Sequence, residues 1–264
     1  SQVTVTFHDN GDIFFARQLV NERLSRVSAE LPASLDAPQM GPVSTGLGDI
    51  YMFAVESDKR SITDLRTIMD WQIAPQLRSV AGVAEVNVAD GNVKQYQVIA
   101  DMARLQARGL GIHDLIEALQ TNNQNAGGGV LDAGGERTLI RSVGMASTPQ
   151  EIETIPVASE DGTPVLVRDV AEVTTGTPVV TGLSTKDGHE ALLAIAMMLK
   201  GANGRTVAQA VDAKIEEIKA QLPDDVKLTT VYNRAHLVNK TVGTVEKSLL
   251  EGGILVIVVL FVLL

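Results

Sequence analysis

Two carboxylates on predicted strands are the side chains of this chain best suited to bind a cation. Asp49 lies on a strand predicted for Gly48–Val55, and Glu85 lies on a strand predicted for Val83–Val88. Side chains alternate between the two faces of a strand. If the two strands are neighbours in one sheet, both carboxylates can lie on its open side, where paired oxygen ligands suit hard or borderline divalent cations. Asp49 and Glu85 are therefore candidate metal ligands, and solvated strand carboxylates are the alternative.

Other residue types that often do chemistry form no recognisable site. The glycine-rich stretches 127–129 and 134–135 lack the lysine and the strand–loop–helix context of a phosphate-binding loop. The four histidines stand at no metal-ligand spacing to one another, and no Ser, His and Asp grouping suggests a nucleophile. Met197 and Met198 carry soft thioethers, but adjacent strand residues point to opposite faces, so this pair cannot bind one ion together. Core packing is favoured for both methionines, and no enzymatic activity is predicted.

Short strands and helices alternate along the chain and must position these residues. Strands are predicted for 3–7, 48–55, 83–88, 95–100, 191–199 and 226–231, and helices for 13–31, 62–77 and 113–122. Asp-Gly pairs at 90–91, 161–162 and 187–188 lie between apolar runs and are typical of hairpin turns. The first pair predicts that strand 83–88 joins strand 95–100. Strand 191–199 is apolar on both sides, which predicts burial on both faces or a place at an interface.

An internal repeat favours a fold built from similar units. The apolar positions of the first helix, which ends in Leu31-Pro32, recur in a later helix that ends in Leu222-Pro223. Chance similarity of amphipathic helices is the alternative to a duplication. The repeat and the alternation together predict an α+β fold with ferredoxin-like β-α-β-β-α-β units. A glycine-rich segment is inserted into one unit, with boundaries near residues 91 and 174.

Composition and charge limit the function classes. The net charge of −10 argues against nucleic acid as a partner, because phosphates bind basic surfaces. The chain has no cysteine, which excludes disulfides and thiolate metal sites. Before residue 240 no uncharged apolar run approaches the ~18 residues that indicate a membrane span. This part is predicted to be water-soluble.

The last thirteen residues, Gly252–Leu264, carry no charge and are almost entirely Ile, Leu, Val and Phe. A helix of this composition is apolar on every side, which suits lipid or the interior of a large protein. Because a membrane span needs ~20 apolar residues, the segment is expected to be the start of a span. The chain is accordingly expected to be an internal piece of a longer membrane protein. The alternative is a buried C-terminal helix.

Several stretches, taken together and in order, resemble one family of transporters. They are Lys94–Val98, Asn122–Gly129, Gly162–Val165, Val167–Val173, Met198–Asn203 and Leu249–Gly252. The set is similar to the heavy-metal efflux (CusA/CzcA-type) branch of the resistance-nodulation-division (RND) transporters, and the match runs from one end of the chain to the other. Each stretch alone would be a weak signal.

The resemblance implies a proton-driven antiporter in the bacterial inner membrane, with residues 1 to about 240 in the periplasm. Such a pump works as a homotrimer. It exports a divalent or monovalent metal cation through a tripartite channel, with a periplasmic adaptor (membrane fusion) protein and an outer-membrane channel protein. No cofactor other than the transported cation is implied. The alternatives are a membrane-anchored periplasmic binding or adaptor module and, more distantly, an RND pump for organic compounds.

The resemblance also implies a division of the chain. Residues 1–37 would be the second half of the first porter subdomain, with a pore helix at 13–31. Residues 38–90 and 174–232 would form the second porter subdomain, and residues 91–173 the docking subdomain. Residues 233–264 would approach and enter the membrane. Arg17, Asn21 and Ser25 lie at i, i+4 and i+8 on one stripe of the pore helix, and the resemblance implies that this stripe lines the trimer axis.

Overall fold

The computed structural model shows a mixed α/β protein and describes residues 3–7, 11–28, 30–32, 35, 37–44, 46–133, 136–160, 162–180 and 182–263. The helices are α1 (Ile13–Ser28), α2 (Ile62–Ile68), α3 (Ala74–Arg78), α4 (Met102–Ala107), α5 (Ile112–Asn122), α6 (Pro149–Glu153), α7 (Val167–Val170), α8 (Gly204–Lys219) and α9 (Arg234–Leu263). The strands are β1 (Asp49–Glu56), β2 (Val83–Val88), β3 (Gln95–Ala100), β4 (Ala126–Ala133), β5 (Glu136–Ser142), β6 (Pro156–Glu160), β7 (Thr163–Leu166), β8 (Ala171–Gly176), β9 (Thr185–Lys186), β10 (His189–Glu190), β11 (Leu192–Met198) and β12 (Lys227–Asn233). No helix within the described residues combines the length and the apolar run that crossing a membrane requires.

A four-stranded antiparallel sheet in the order β12-β1-β11-β2 carries the larger core. Its inner face is packed by α2, α3 and α8. Phe53 pairs with Ala194 and Val55 pairs with Leu192, and all four side chains are fully buried. Buried and half-buried residues alternate along β11, as expected for a strand covered on one face.

The opposite face of this sheet is much less covered, and we call it the open face. Asp49, Met52, Glu85, Asn87, Leu193, Ile195 and Met197 lie on this face and are half-buried or exposed, whereas Ala54, on the same face, is buried. Full burial of β11 on both faces is therefore wrong, because Leu193, Ile195 and Met197 on the open face are only half-buried. The second expectation for this strand, a place at an interface, stays a prediction.

A second, smaller core lies in the segment between β2 and β9. Strand β3 pairs with β8, and this two-stranded sheet packs with α4, α5, α6 and α7. The buried side chains include Leu105, Leu115, Val167 and Val170. Two hairpins, β4–β5 and β6–β7, belong to the same segment.

The hairpin predicted at Asp90-Gly91 is wrong. Strand β2 pairs with β11 and β3 pairs with β8, so the two strands flanking this turn belong to different sheets. The guanidinium of Arg66 donates from Nη1 to the carbonyl oxygens of Asp90 (3.0 Å) and Gly91 (2.9 Å). Gly91 has φ +78°, and a side chain there would clash with Leu192. The turn is thus a linker held against α2. The pair Asp187-Gly188 does lie in a hairpin, β9–β10, and Gly162 lies between the paired strands β6 and β7, while Asp161 lies outside the described residues.

Two further expectations are corrected. Residues Val3–Phe7 form no strand, and Val3 is 85% exposed, because no strand of the described residues pairs with them. The helix predicted for 62–77 is interrupted by a π-helical turn, Met69–Ile73, between α2 and α3. Pro75 explains the turn, since proline lacks an N–H and its ring would collide with a carbonyl one turn earlier in a regular helix.

The phenol of Tyr51 ties α8 to the sheet. The residue is fully buried. Its Oη donates to Asp212 Oδ1 of α8 at 2.5 Å and lies 2.6 Å from Thr230 Oγ1 of β12. Burial, followed by the hydrogen bond to Asp212, raises the pKa of the Tyr51 phenol above its ordinary value.

Replacement of this phenol should change both the stability and its dependence on pH. Tyr51→Phe leaves Asp212 without its donor and should lower the free energy of unfolding by about 1–3 kcal/mol near neutral pH. A raised pKa in the folded state stabilises the fold fully below the unfolded-state value of ~10, and this stabilisation is lost as the pH rises towards the folded-state pKa. The wild-type protein should therefore lose more stability than the variant between about pH 9 and pH 11.

Urea unfolding followed by circular dichroism across that pH range checks this prediction. Tyr232→Phe is the control, because the hydroxyl of this half-buried residue has no hydrogen-bond partner among the described residues. Equal unfolding midpoints and equal pH profiles for the two variants would contradict the role assigned to Tyr51.

Candidate functional site

The open face brings both predicted carboxylates into one row with a methionine. Asp49 of β1 pairs with Met197 of β11, and Met197 pairs in turn with Glu85 of β2. Residues directly opposite each other in antiparallel strands project to the same face. Asn87 of β2 donates from Nδ2 to Met197 Sδ at 3.2 Å, which independently places the thioether on this face. We call Asp49, Met197 and Glu85 the carboxylate row.

The expectation that the two carboxylates lie on adjacent strands is wrong. Strand β11 separates β1 from β2, so the Cα atoms of Asp49 and Glu85 are about 10 Å apart, two strand spacings. Both residues are half-buried, and neither carboxylate has a hydrogen-bond or ion-pair partner among the described residues. No three His, Cys, Asp or Glu side chains of the described part of the chain group closely enough to hold a metal ion. The two carboxylates alone would therefore form an incomplete ligand set.

Glu85 also borders a groove between β2 and α1. The groove is lined by Arg17, Gln39, Met40, Gly41, Pro42, Arg78, Ala84 and Glu85. Arg17 is half-buried and donates from Nη1 to Gly41 O at 2.8 Å, so α1 is held against the segment that leads into β1. Arg17, Arg78 and Glu85 thus line the same groove.

Arg17, one residue of the stripe predicted on α1, takes part in this contact, and the pore-lining role of the stripe stays a prediction. Arg17 faces the groove, while Asn21 and Ser25 are exposed. The Ser25 hydroxyl donates to Asn21 O at 2.9 Å. The helix buries only Ala16, so most of its surface is available for contacts beyond the described residues.

Sequence reasoning overlooked a second surface, a groove beside the linker. Trp71, the only tryptophan of the chain, lies on the π-helical turn and is 80% exposed. It lines this groove together with Val93, Lys94 and Tyr96. The signal that would have found it is a large aromatic residue followed within four positions by Pro75, since that proline requires an irregular turn.

The C-terminal part of α9 is an apolar surface without cover. Each residue of Ile254–Leu263 is between 45% and 85% exposed. An exposed contiguous apolar surface of this extent indicates contact with another protein or with lipid. The approach to this segment carries the ion pair between Lys247 and Glu251 at 3.8 Å.

Comparison with protein families and curated proteins gives consistent matches over the entire chain. The model of the AcrB/AcrD/AcrF family matches residues 1–264. Protein HelA of Legionella pneumophila is 46% identical over 271 residues, covering 100% of this chain and 26% of that protein. The cobalt-zinc-cadmium resistance protein CzcA of Cupriavidus metallidurans is 44% identical over 273 residues, with the same coverage of 100% and 26%. The cation efflux system protein CusA of Escherichia coli (strain K12) is 36% identical over 263 residues, covering 98% and 25%.

Solved structures agree with these matches. The crystal structure of a heavy metal efflux pump superimposes with a TM-score of 0.82 at 31% sequence identity, covering 93% of this chain and 24% of that one. A second crystal form of a heavy metal efflux pump gives a TM-score of 0.79 at 29% identity. The chain spans about a quarter of the length of the relatives and structures that it matches.

Proposed function

Since the chain belongs to the AcrB/AcrD/AcrF family, we propose that it is the periplasmic porter and docking part of a proton-driven transporter that exports heavy-metal cations. The resemblance drawn from the sequence motifs, to the heavy-metal efflux branch of the RND transporters, is confirmed by the family match and the relatives. One observation carries the proposed activity. A relative named for cobalt, zinc and cadmium resistance aligns with the whole chain at 44% identity, and one named for cation efflux aligns with 98% of it at 36% identity. The proposed protein is a transporter and not an enzyme.

The proposed assembly is a homotrimer in the bacterial inner membrane. Residues 1 to about 240 lie in the periplasm, where a periplasmic adaptor protein and an outer-membrane channel protein complete a tripartite export channel. The family membership supports this assembly, and the net charge of −10 argues against a nucleic acid as a further partner. The cation is cargo and not a resident cofactor.

We infer the following division of the chain. Residues 38–90 and 174–232 form a ferredoxin-like second porter subdomain, and residues 91–173 form a docking subdomain inserted into it. Two observations support this: β1, α2–α3 and β2 give one β-α-β unit, and β11, α8 and β12 give a second unit in the same sheet. Residues 1–37 complete the first porter subdomain, with α1 as its pore helix, and residues 233–264 lead into the membrane.

The exposed apolar end of α9 is the proposed start of a membrane helix. Ten consecutive apolar residues exposed to water are unfavourable at ~25 cal/mol per Å² of apolar surface. Insertion into lipid removes this cost without any change in the rest of the helix.

The carboxylate pair is the proposed cation-capture element. Asp49 and Glu85 share the open face and have no cationic partner among the described residues. Two half-buried carboxylates that form no ion pair with a described residue attract divalent cations. The remaining ligands would come from beyond these two residues.

Deletion of residues 241–264 should yield a protein that stays monodisperse without detergent, because the apolar end of α9 is removed while Ala235, which is buried in the core, is kept. Size-exclusion chromatography with and without detergent measures this difference. Far-ultraviolet circular dichroism of the two proteins is the control, because it shows whether the deletion disturbs the fold of the remaining residues. A full-length chain that is monodisperse in plain buffer and unchanged by the deletion would contradict the proposed membrane contact.

Cysteine crosslinking tests the axial position of α1. In the membrane-assembled full-length transporter, with any native cysteines removed, Asn21→Cys should form disulfides between protomers under mild oxidation, because the stripe of Arg17, Asn21 and Ser25 would face its symmetry copies. Arg23→Cys is the matched control, since this exposed residue lies about 200° further around the same helix. Equal crosslinking at both positions, or none at Asn21, would count against the pore-lining stripe.

Metal resistance tests the export function together with the carboxylate pair. The full-length transporter in a metal-sensitive host should raise the tolerated concentrations of zinc, cobalt or nickel. Asp49→Asn combined with Glu85→Gln should lower cation affinity by roughly tenfold and reduce this tolerance at unchanged expression. Glu172→Gln combined with Asp224→Asn, two exposed carboxylates away from the row, is the control. If both double variants match the wild type, the capture role fails while the export function stands.

A further inference from the structure

One arginine holds the linker that joins β2 to β3, residues 89–94. The guanidinium of Arg66 donates from Nη1 to the carbonyl oxygens of Asp90 (3.0 Å) and Gly91 (2.9 Å). Its Nε donates to Asp70 Oδ2 at 2.8 Å, in an ion pair with a residue four positions further along the chain. Because the donors of a guanidinium are fixed in a planar fork, the pair with Asp70 sets the direction in which Nη1 points. The linker carbonyls are therefore held at one place against α2.

The linker has no room to move towards the sheet. A Cβ on Gly91 would overlap Leu192 Cδ1 and stand 3.5 Å from Arg66 Cβ, so the glycine lies between these two side chains. Leu192 is fully buried in the larger core. The linker is thus confined between a fixed leucine on one side and the arginine that binds its carbonyls on the other.

The connection that returns from β8 to β9 is held by the smaller core instead. Gln97 of β3 donates from Nε2 to Thr177 O at 2.9 Å. A cavity of about 230 Å³ separates this connection from the linker, and Asp90, Thr177 and Leu183 are among the residues that line it. Asp90 Oδ2 is buried and has no hydrogen-bond partner among the described residues. The side chain of Asp90 therefore does not tie the two connections together through this oxygen.

The hydrogen bonds of the linker to the larger core come almost entirely from Arg66. The N–H of Ala89 continues the ladder of the sheet to Leu193 O at 2.9 Å. Beyond it, the hydrogen bonds that the larger core makes to residues 90–94, within the part of the chain that the structure describes, all come from Arg66. The two cores share no buried cluster, so the direction of the inserted segment depends on how its connections are held.

We propose that Arg66 is a positioning residue, which fixes the direction in which the inserted segment, residues 91–173, leaves the four-stranded sheet. It acts through the linker carbonyls and binds no cargo. The proposal rests on the proposed function, because it assigns the residue that orients the docking subdomain on the second porter subdomain. A rotation at the linker moves the far end of the segment more than the near end, so export through a multi-component channel requires the linker to be fixed.

Two substitutions release the linker from opposite sides. Arg66→Lys keeps the positive charge but loses the fork, because one ammonium group cannot reproduce the separate contacts of Nε and Nη1. Gly91→Ala leaves the arginine unchanged and forces the linker away from Leu192.

The chain offers a matched control for each substitution. Arg60 donates from Nε (2.7 Å) and Nη2 (3.2 Å) to the carboxylate of Asp225 and not to the linker, so Arg60→Lys removes a guanidinium fork elsewhere. Gly188 has φ +82° and no atom within 4 Å of an added Cβ, whereas Gly91 has φ +78° and a clash. Gly188→Ala therefore carries the backbone strain of a positive φ without the displacement.

The experiment measures the distance between the two cores in the full-length transporter, with any native cysteines removed. Nitroxide labels are attached at Gln209→Cys on α8 and Glu117→Cys on α5, two exposed positions, and a co-expressed excess of unlabelled chain limits the signal to pairs within one protomer. Double electron–electron resonance then gives the distance distribution. Arg66→Lys and Gly91→Ala should broaden the distribution and shift its maximum, while Arg60→Lys and Gly188→Ala should match the otherwise unmodified labelled chain.

The distance distribution separates positioning from simple stabilisation, because a lower unfolding temperature does not change distances within the molecules that stay folded. Unchanged distributions for both linker variants would overturn the proposal, even if both unfold at lower temperature. If Gly91→Ala broadens the distribution but Arg66→Lys matches Arg60→Lys, the positive charge of residue 66 is sufficient and the role of the fork is overturned. Equal broadening in Gly188→Ala would also count against it.

Metal tolerance of a sensitive host that carries the same variants distinguishes this proposal from the export function. Arg66→Lys and Gly91→Ala should reduce tolerance, and the two controls should not. A wild type that confers no resistance would contradict export, while the distance distributions would still decide whether Arg66 positions the inserted segment.

Discussion

The packing of helices on one face of the sheet β12-β1-β11-β2, and not on the other, is the constraint from which the rest of this structure follows. The helices α2, α3 and α8 bury the inner face, where side chains such as Phe53, Leu192 and Ile215 are fully removed from water. Burial of each such side chain contributes about 1.5–3 kcal/mol. This core fixes the positions of the strands. The places from which the side chains of the carboxylate row project therefore follow from the packing of the opposite face.

Irregularities in the strands decide where the row lies. The register between β1 and β11 shifts next to Asp49, and the register between β11 and β2 shifts next to Met197. At the first shift Ile50 and Tyr51 are both fully buried, so two consecutive residues enter the core. An extra residue of this kind bends the strand and redirects the side chains beside it, and such bulges are frequent next to functional sites. Both ends of the row thus adjoin a break in the regular alternation.

Local sequence patterns predicted the bounds of the strands better than they predicted which strands pair with each other. Strand β2 (Val83–Val88) and strand β3 (Gln95–Ala100) have the bounds that alternation predicts, because alternation is a property of the strand itself. Their pairing could not be predicted in the same way. The Asp-Gly signal at 90–91 is identical to that of a true hairpin, and only the contact between Arg66 and the linker carbonyls, 24 and 25 residues away, distinguishes the two cases. Pairing depends on residues distant in sequence, which a local pattern does not contain.

The candidate site was likewise predicted correctly only where neighbouring residues in the sequence carry the signal. Alternation identified Asp49 and Glu85, since each carboxylate interrupts an apolar strand. It assigned Met197 to the core, because the only partner considered was Met198, its neighbour in sequence. The row becomes visible once the strand order is known, when β11 is found between the other two strands. A row assembled from single residues on three strands has no spacing signature along the chain, unlike a site formed within one helix or loop.

The apolar pattern shared by α1 and α8 predicts a helix in both places, but it does not predict whether that helix is buried. In α8 the matched positions Val211, Ile215 and Ile218 are fully buried against the sheet, whereas in α1 Val27, the equivalent of Ile218, is 46% exposed. The same apolar stripe therefore forms a helix in both places but becomes core only where a sheet is present to receive it. Among the described residues, α1 instead contacts the segment before β1 through Arg17 and Gly41, beside Glu85 on the edge strand β2. Of the three residues of the row, Glu85 is thus the one whose electrostatic surroundings depend on where α1 lies.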